Sequence, residues 1–385
     1  MPDRARVRSF LAALAAVSAL FLYGVGVGKW RWPPHDTLLA LFRLVPGERK
    51  REREFLEATA AARRERLADR IRAQDPRSAI TLRTAEDVAT RRRTLAERIW
   101  GPGGLPMAAR PAKVEADVEH PAFPKKGAVR RIDRVVVEMD HGIRSVAYLF
   151  NPARGARFVV FHEGHAGDIR WSRDAILGLL ESGRSVLAFA MPLLGENAGP
   201  RITHPTLGVI DLETHDQLGH LERPLRYFLE PVVAGISHLA ETWGAQDVDM
   251  VGISGGGWTT TVVAALDVRV RGSYPVAGSL PLSMRPPGEW GDFEQHAPDL
   301  VDVAGYLDLY VMGAAGKGRR QLQVLHRHDP VAFAGDAANG YAMAVSEVVN
   351  GLGGGTWALD LDDEGAEHAV TRRDLGRILA HMDGP

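Results

Sequence analysis

The chain has 385 residues, 45% hydrophobic and 25% charged, proportions that exclude wholesale disorder and a bundle of membrane spans. Its net charge of −1 hides an asymmetry: residues 1–110 hold 22 basic and 12 acidic side chains, leaving 25 and 36 for the acidic remainder, a poor match for nucleic acid. No cysteine is present, which removes disulfides, Cys-based zinc sites and thiol nucleophiles.

Residues 1–8 form a basic tail with Arg4, Arg6 and Arg8, and residues 9–28 are 20 uncharged residues closed by Lys29. A helix of that length spans roughly 30 Å, the thickness of a bilayer core. Trp30 and Trp32 follow, where indole rings favour the headgroup layer. The pattern predicts a transmembrane anchor; a cleaved signal sequence, with Val17-Ser18-Ala19 at the cleavage site, is the alternative. The membrane is thus an expected partner, with the body periplasmic or otherwise extracytoplasmic.

Residues 29–127 read as a helical extension and a linker. Leu56, Ala60, Leu67 and Ile71 recur at helical spacing over 48–75, and the interleaved Arg and Glu predict a solvated, ion-paired face. A second helix is expected over 84–100, stopped by Gly101-Pro102-Gly103-Gly104, and the prolines at 102, 106, 111, 121 and 124 mark the linker.

From residue 128 strands and helices alternate. Strands are expected at 131–139 and 143–150 (a hairpin around Asp140-His141-Gly142), 157–161, 185–191, 247–253, 272–277, 321–326 and 356–361. Helices are expected after Ser172, over 224–243 with a kink at Pro231, just past Ser254, and around 341–349 and 371–382. This alternation specifies an α/β fold, a mostly parallel central sheet flanked by helices, over 128–385.

Gly252-Ile253-Ser254-Gly255-Gly256 fits G-x-S-x-G, in which a serine nucleophile sits on a strained turn between strand and helix. Serine needs a base, and the base needs a carboxylate to hold its tautomer. The elbow goes with the chain order Ser, Asp or Glu, then His. His368 lies in a polar loop between the last strand and the last helix and is the expected base; His381 is expected on the surface. Asp329, just after the strand at 321–326, is the expected acid, with Asp308 in reserve. An oxyanion hole needs two backbone N–H donors, expected from Gly255 and from the loop holding Gly164 and His165.

No cofactor or metal is expected. His162-Glu163-Gly164-His165 lacks the H-E-x-x-H spacing, and the glycine strings at 24–29 and 313–320 lack phosphate-binding patterns. Trp258, His215, Asp216 and Asp292-Phe293-Glu294-Gln295 are candidates to line a pocket.

Ser254-Gly255-Gly256-Gly257, followed by Ala264-Ala265-Leu266-Asp267-Val268-Arg269, resembles the α/β-hydrolase superfamily over about 128–385, and within it the dienelactone-hydrolase and acetyl-xylan-esterase branch. The resemblance implies hydrolysis of a small-molecule carboxylic ester through an acyl-enzyme, with Ser254, Asp329 and His368 as triad. Segments 192–223 and 286–320 are longer than a minimal member needs and are expected to cover the substrate. A peptidase of the prolyl-oligopeptidase kind uses the same elbow but typically adds a propeller, which the residues before the sheet do not supply. A catalytically silent, membrane-tethered binding module is the non-enzyme alternative. The sequence leaves oligomeric state open.

Overall fold

The computed structural model describes residues 48–68, 75–204, 206–286 and 289–384. The expected anchor at 9–28 lies outside these; among the described residues no helix is long and apolar enough to cross a membrane. The chain divides into two compact units, Met1–Glu65 and Arg66–Pro385. Helix α1, Glu48–Ala68, begins in the first, and its exposed Arg53–Glu57 pair at 3.7 Å is the i,i+4 spacing expected of a solvated helix.

The second unit is built on a nine-stranded sheet. Strands are β1 (Lys113–Glu115), β2 (Ile132–Glu138), β3 (Arg144–Phe150), β4 (Phe158–His162), β5 (Ser185–Phe189), β8 (Val248–Ile253), β9 (Val270–Val276), β10 (Arg320–His326) and β11 (Thr356–Asp362). A separate two-stranded hairpin pairs β6 (Arg201–His204) with β7 (Gly208–Asp211). The large sheet runs β1-β2-β3-β5-β4-β8-β9-β10-β11, antiparallel from β1 to β5 and parallel from β5 to β11. Every residue of β4 and β5 is buried, as parallel strands covered on both faces require. Alternation assigns Phe158 and Val160 to one core and Val159 and Phe161 to the other.

Beyond α1, the longer helices are α2 (Ala85–Trp100), α3 (Arg173–Glu181), α4 (Arg226–His238), α5 (Gly255–Leu266), α6 (Tyr306–Ala314), α7 (Asn339–Leu352) and α8 (Arg372–Asp383). Helix α4 continues through Pro231 and ends in a π turn, Leu239–Trp243. Helices α3 and α8 cover one face through Ile176, Leu179, Leu375 and Ile378. Helices α2, α4, α5, α6 and α7 contribute to the core on the other. The sequence placed α2 in an extension outside the sheet domain, yet Val88, Leu95, Ala96 and Ile99 are buried in that same core.

Helix α5 is buried at all twelve positions. Its interior threonines 259, 260 and 261 satisfy their hydroxyls on the carbonyls of Gly255, Gly256 and Gly257 at 3.1, 2.9 and 3.0 Å. Its last-turn carbonyls meet two arginines: Arg92 Nε donates to Ala265 O at 2.8 Å, and the buried Arg319 donates to Ala264 O. Both also reach Met312 O at the end of α6, so two cations sit at the negative ends of two helix dipoles.

Candidate active site

Ser254 follows β8 directly and precedes the first residue of α5. Its dihedrals, φ 55° and ψ −123°, lie in a region that costs a non-glycine residue of order 1–3 kcal/mol. The strain is held by Ser254 N–H donating to Val276 O at 2.9 Å and by Trp258 N–H donating to Ser254 O at 2.9 Å. The surrounding glycines have the steric duty the motif implies. A Cβ at Gly252 would lie 2.2 Å from Gly256 O, and one at Gly256 would lie 2.0 Å from His162 O.

Asp329 and His368 leave the sheet at the same, carboxyl edge, after β10 and β11. His368 Nδ1 lies 2.8 Å from Asp329 Oδ2 and 3.0 Å from Oδ1. Oδ1 also accepts Val331 N–H at 2.8 Å and Ala332 N–H at 3.0 Å. Burial raises the Asp329 pKa, but these donors and His326 outweigh it and hold the carboxyl well below the usual range. On the opposite side of the ring, His368 Nε2 is buried and has no hydrogen-bond partner. Asp308, the reserve acid, lies within α6 and is engaged elsewhere. It accepts Thr81 N–H at 2.8 Å, Thr81 Oγ1 at 2.6 Å and Arg91 at 3.0 Å.

His326, which sequence reasoning did not select, fixes the loop that carries His368. Its Nδ1 lies 2.8 Å from Glu367 O and its Nε2 lies 3.0 Å from Asp374 Oδ2. A carbonyl and a carboxylate both only accept, so both ring nitrogens carry hydrogen and the ring is an imidazolium. Burial pushes its pKa down, and the Asp329 and Asp374 carboxylates overcome that to bring it to about 10. Asp374 in turn is the reciprocal partner of Thr371 in the capping box of α8. His381 is on α8 as expected but is partly buried, with Nδ1 3.4 Å from Tyr274 Oη.

The loop after β4 passes against the elbow. A Cβ on Gly164 would lie 2.7 Å from Ser254 Cβ, and one on Gly255 would lie 2.5 Å from His165 Cε1. Gly164 N–H is already committed, donating to Glu163 Oε1 at 2.8 Å. Gly255 N–H begins α5, where a helix has no partner of its own for the amide.

Beside the elbow lies a second polar group. His165 Nε2 is 3.1 Å from Glu294 Oε1, 3.2 Å from Asp292 Oδ2 and 3.3 Å from His215 Nδ1. His215 Nδ1 is 3.2 Å from Glu294 Oε2. Burial favours neutral Glu294, but the two imidazoles more than reverse this and hold its pKa far below the carboxylate range. His165 is raised because Glu294 and Asp292 outweigh the effect of its burial. Three of the pocket-lining candidates therefore meet here, and His165 joins them through its side chain. A separate groove of about 890 Å³ runs past Trp171, Glu364 and Arg373, and its lining includes neither Ser254 nor His368.

No family model matches the chain, and no curated protein matches it. Solved structures do. The acetyl xylan esterase 1 of Thermoanaerobacterium sp. JW/SL YS485 is 14% identical, with 80% of this chain and 98% of that one covered at a TM-score of 0.51. The acetyl xylan esterase of Paenibacillus sp. R4 is 15% identical with the same coverages and TM-score. The methylesterase BT1017 is 14% identical, covering 78% of this chain and 65% of that one, also at 0.51. At these identities the likeness establishes the fold: α/β, with a mostly parallel sheet between helices.

Proposed function

We propose that the protein is a serine hydrolase that cleaves carboxylic esters through an acyl-enzyme, with Ser254, Asp329 and His368 as its triad. The observation that carries the reading is the buried Nε2 of His368, free of any partner on a ring anchored at Nδ1 by Asp329, at the sheet edge where Ser254 is held in strained dihedrals. Asp329 keeps the proton of neutral His368 on Nδ1, so Nε2 is a lone pair ready to take the Ser254 proton. The Ser254 oxygen attacks the carbonyl carbon, and the charge that develops is received by the amides of Gly255 and His165. With Gly164 N–H engaged by Glu163, His165 is the second donor in this reading. His368 then protonates the leaving alcohol, and water, deprotonated by the same Nε2, releases the acid. The likeness in fold to two acetyl xylan esterases supports an acetyl ester as the first substrate to try.

A fluorophosphonate probe should modify Ser254 in the wild-type chain and leave Ser254→Ala unmodified, with hydrolysis of p-nitrophenyl acetate lost in parallel. A variant that hydrolysed the ester at the wild-type rate would remove the reading. A panel of acyl esters, sugar acetates and peptide amides separates esterase from peptidase. The uncharged run at 9–28 supports a membrane tether. An uncleaved signal sequence would put this body on the extracytoplasmic side, and protease accessibility in intact cells tests that orientation.

A further inference from the structure

Three segments far apart in sequence deliver His165, His215 and Glu294 to one point. His165 comes from the loop after β4, His215 from the short turn His215–Leu218, and Glu294 from the 3-10 turn Phe293–His296. With one ligand atom from each, these lie within 4.8 Å of one another; His165 Nε2 is 3.1 Å from Glu294 Oε1, His215 Nδ1 is 3.2 Å from Glu294 Oε2, and the two nitrogens are 3.3 Å apart. A tetrahedral zinc ion with bonds of about 2.0–2.1 Å separates its ligand atoms by about 3.3 Å.

The orientation of the His215 ring sharpens the case. Its Nε2 lies 3.0 Å from Pro192 O, which can only accept, so a ring proton is there and Nδ1 is the atom left to ligate a metal ion. That Nδ1 faces a Glu294 oxygen at 3.2 Å and His165 Nε2 at 3.3 Å. Glu294 has no exposed surface, and neither of its oxygens accepts a hydrogen bond, although imidazole nitrogens stand at 3.1 and 3.2 Å. The two imidazole–carboxylate contacts approach closely without hydrogen-bond alignment, as atoms do when they point at a common centre, while the two imidazoles stand within hydrogen-bond reach of each other at 3.3 Å. A buried carboxylate so placed needs positive charge beside it, which either charged imidazoles or a bound cation can supply.

We propose that His165, His215 and Glu294 form a site for a divalent transition-metal ion of the zinc type, beside the elbow. Two imidazoles and one carboxylate are the donor set of a mixed nitrogen and oxygen zinc site, whereas calcium and magnesium take all-oxygen shells. Asp292 Oδ2, 3.2 Å from His165 Nε2 on the more exposed side, adds the second negative charge that balances a dication. The metal clasps the segments 192–223 and 286–320 onto the β4 loop and, through His165 packed on Gly255, fixes the wall of the elbow.

The test uses the full-length chain, stripped with a chelator and dialysed, then titrated with Zn²⁺ by calorimetry. Co²⁺ absorption reports the coordination, and circular dichroism confirms folding. Wild type and Ser254→Ala should each bind about one equivalent, with intense four-coordinate Co²⁺ bands and a raised thermal midpoint. Because Ser254→Ala keeps the metal, failure of the hydrolase reading and failure of this one remain distinguishable. Glu294→Gln should weaken binding at least about 100-fold, and His165→Gln provides the same readout if the buried substitution does not fold. A wild-type chain that takes up no Zn²⁺ and leaves Co²⁺ with its aqueous spectrum overturns the proposal. Undiminished binding in folded Glu294→Gln or His165→Gln also overturns it, and a His–Glu–His proton network then accounts for the cluster.

Discussion

Asp329→Asn isolates the one bond on which the proposed base depends. Asp329 Oδ1 accepts two amide protons, from Val331 and Ala332, while Oδ2 lies 2.8 Å from His368 Nδ1. In the asparagine variant the amide oxygen must stay with those two donors, so the NH₂ group takes the place of Oδ2 and donates to His368 Nδ1. The ring is then forced to carry its proton on Nε2, where the lone pair is needed. The charge that would stabilise the imidazolium is also gone. Together these amount to a fall in kcat of about 10⁴-fold, or about 5.5 kcal/mol of transition-state stabilisation. Initial rates on p-nitrophenyl acetate, with thermal unfolding to confirm a native fold, measure it. A folded Asp329→Asn chain within about tenfold of wild type would refute both the tautomer argument and the role given to His368.

Ser254→Gly should unfold at higher denaturant while losing turnover, because glycine relieves φ 55°, ψ −123° and recovers about 1 kcal/mol or more. Gly256→Ala places a Cβ 2.0 Å from the His162 carbonyl and should cost about 3 kcal/mol or prevent folding, whereas Gly376→Ala on α8, with nothing within 4 Å, should stabilise by about 0.5–1 kcal/mol. For His326 the folded pKa is about 10 against an unfolded value of about 6.5, so its contribution is complete below about pH 6.5 and is lost as pH rises toward 10. Urea unfolding across that range should show stability falling in wild type and a shallower dependence in His326→Gln.

The parallel strands were legible because buried β-branched and aromatic runs sit between turn signals, and their observed ends fall within a few residues of expectation. The elbow was legible because its chemistry is written in five consecutive residues. Helix α6 was not. Tyr306–Ala314 is buried at every position, so it lacks the amphipathic period that marks a helix, and without that assignment Asp308 stayed open as a reserve acid. The β6–β7 hairpin was hidden for a different reason, since its eight residues carry only two buried apolar side chains, Ile202 and Ile210. The His165, His215 and Glu294 group was out of reach of spacing rules altogether. In the sequence its members stand singly, as pocket candidates or as an oxyanion amide, and only the fold brings positions 165, 215 and 294 together.

The domain boundary shows how a local reading of the chain misplaces what holds the site. Beginning the protein at residue 112 looks reasonable from the proline-rich linker, yet it would remove Ile80, Leu82, Val88, Leu95 and Ile99, all buried in the core on the α5 face of the sheet. At about 1.5–3 kcal/mol for each large apolar side chain, the loss is about 7–15 kcal/mol, an upper estimate that still matches the whole stability of a typical domain. Two polar losses add to it. Asp308 would keep its buried carboxylate without Thr81 or Arg91, and the last carbonyls of α5 and α6 would lose Arg92. Helix α5 starts at the strained serine, so loosening its far end relaxes the dihedrals that aim Ser254. A chain of residues 75–385 should therefore unfold cooperatively and react with a fluorophosphonate, whereas residues 112–385 should be insoluble or lack near-ultraviolet circular dichroism. Equal unfolding midpoints for the two chains would show that α2 is dispensable and that the strain at Ser254 is held by the sheet alone.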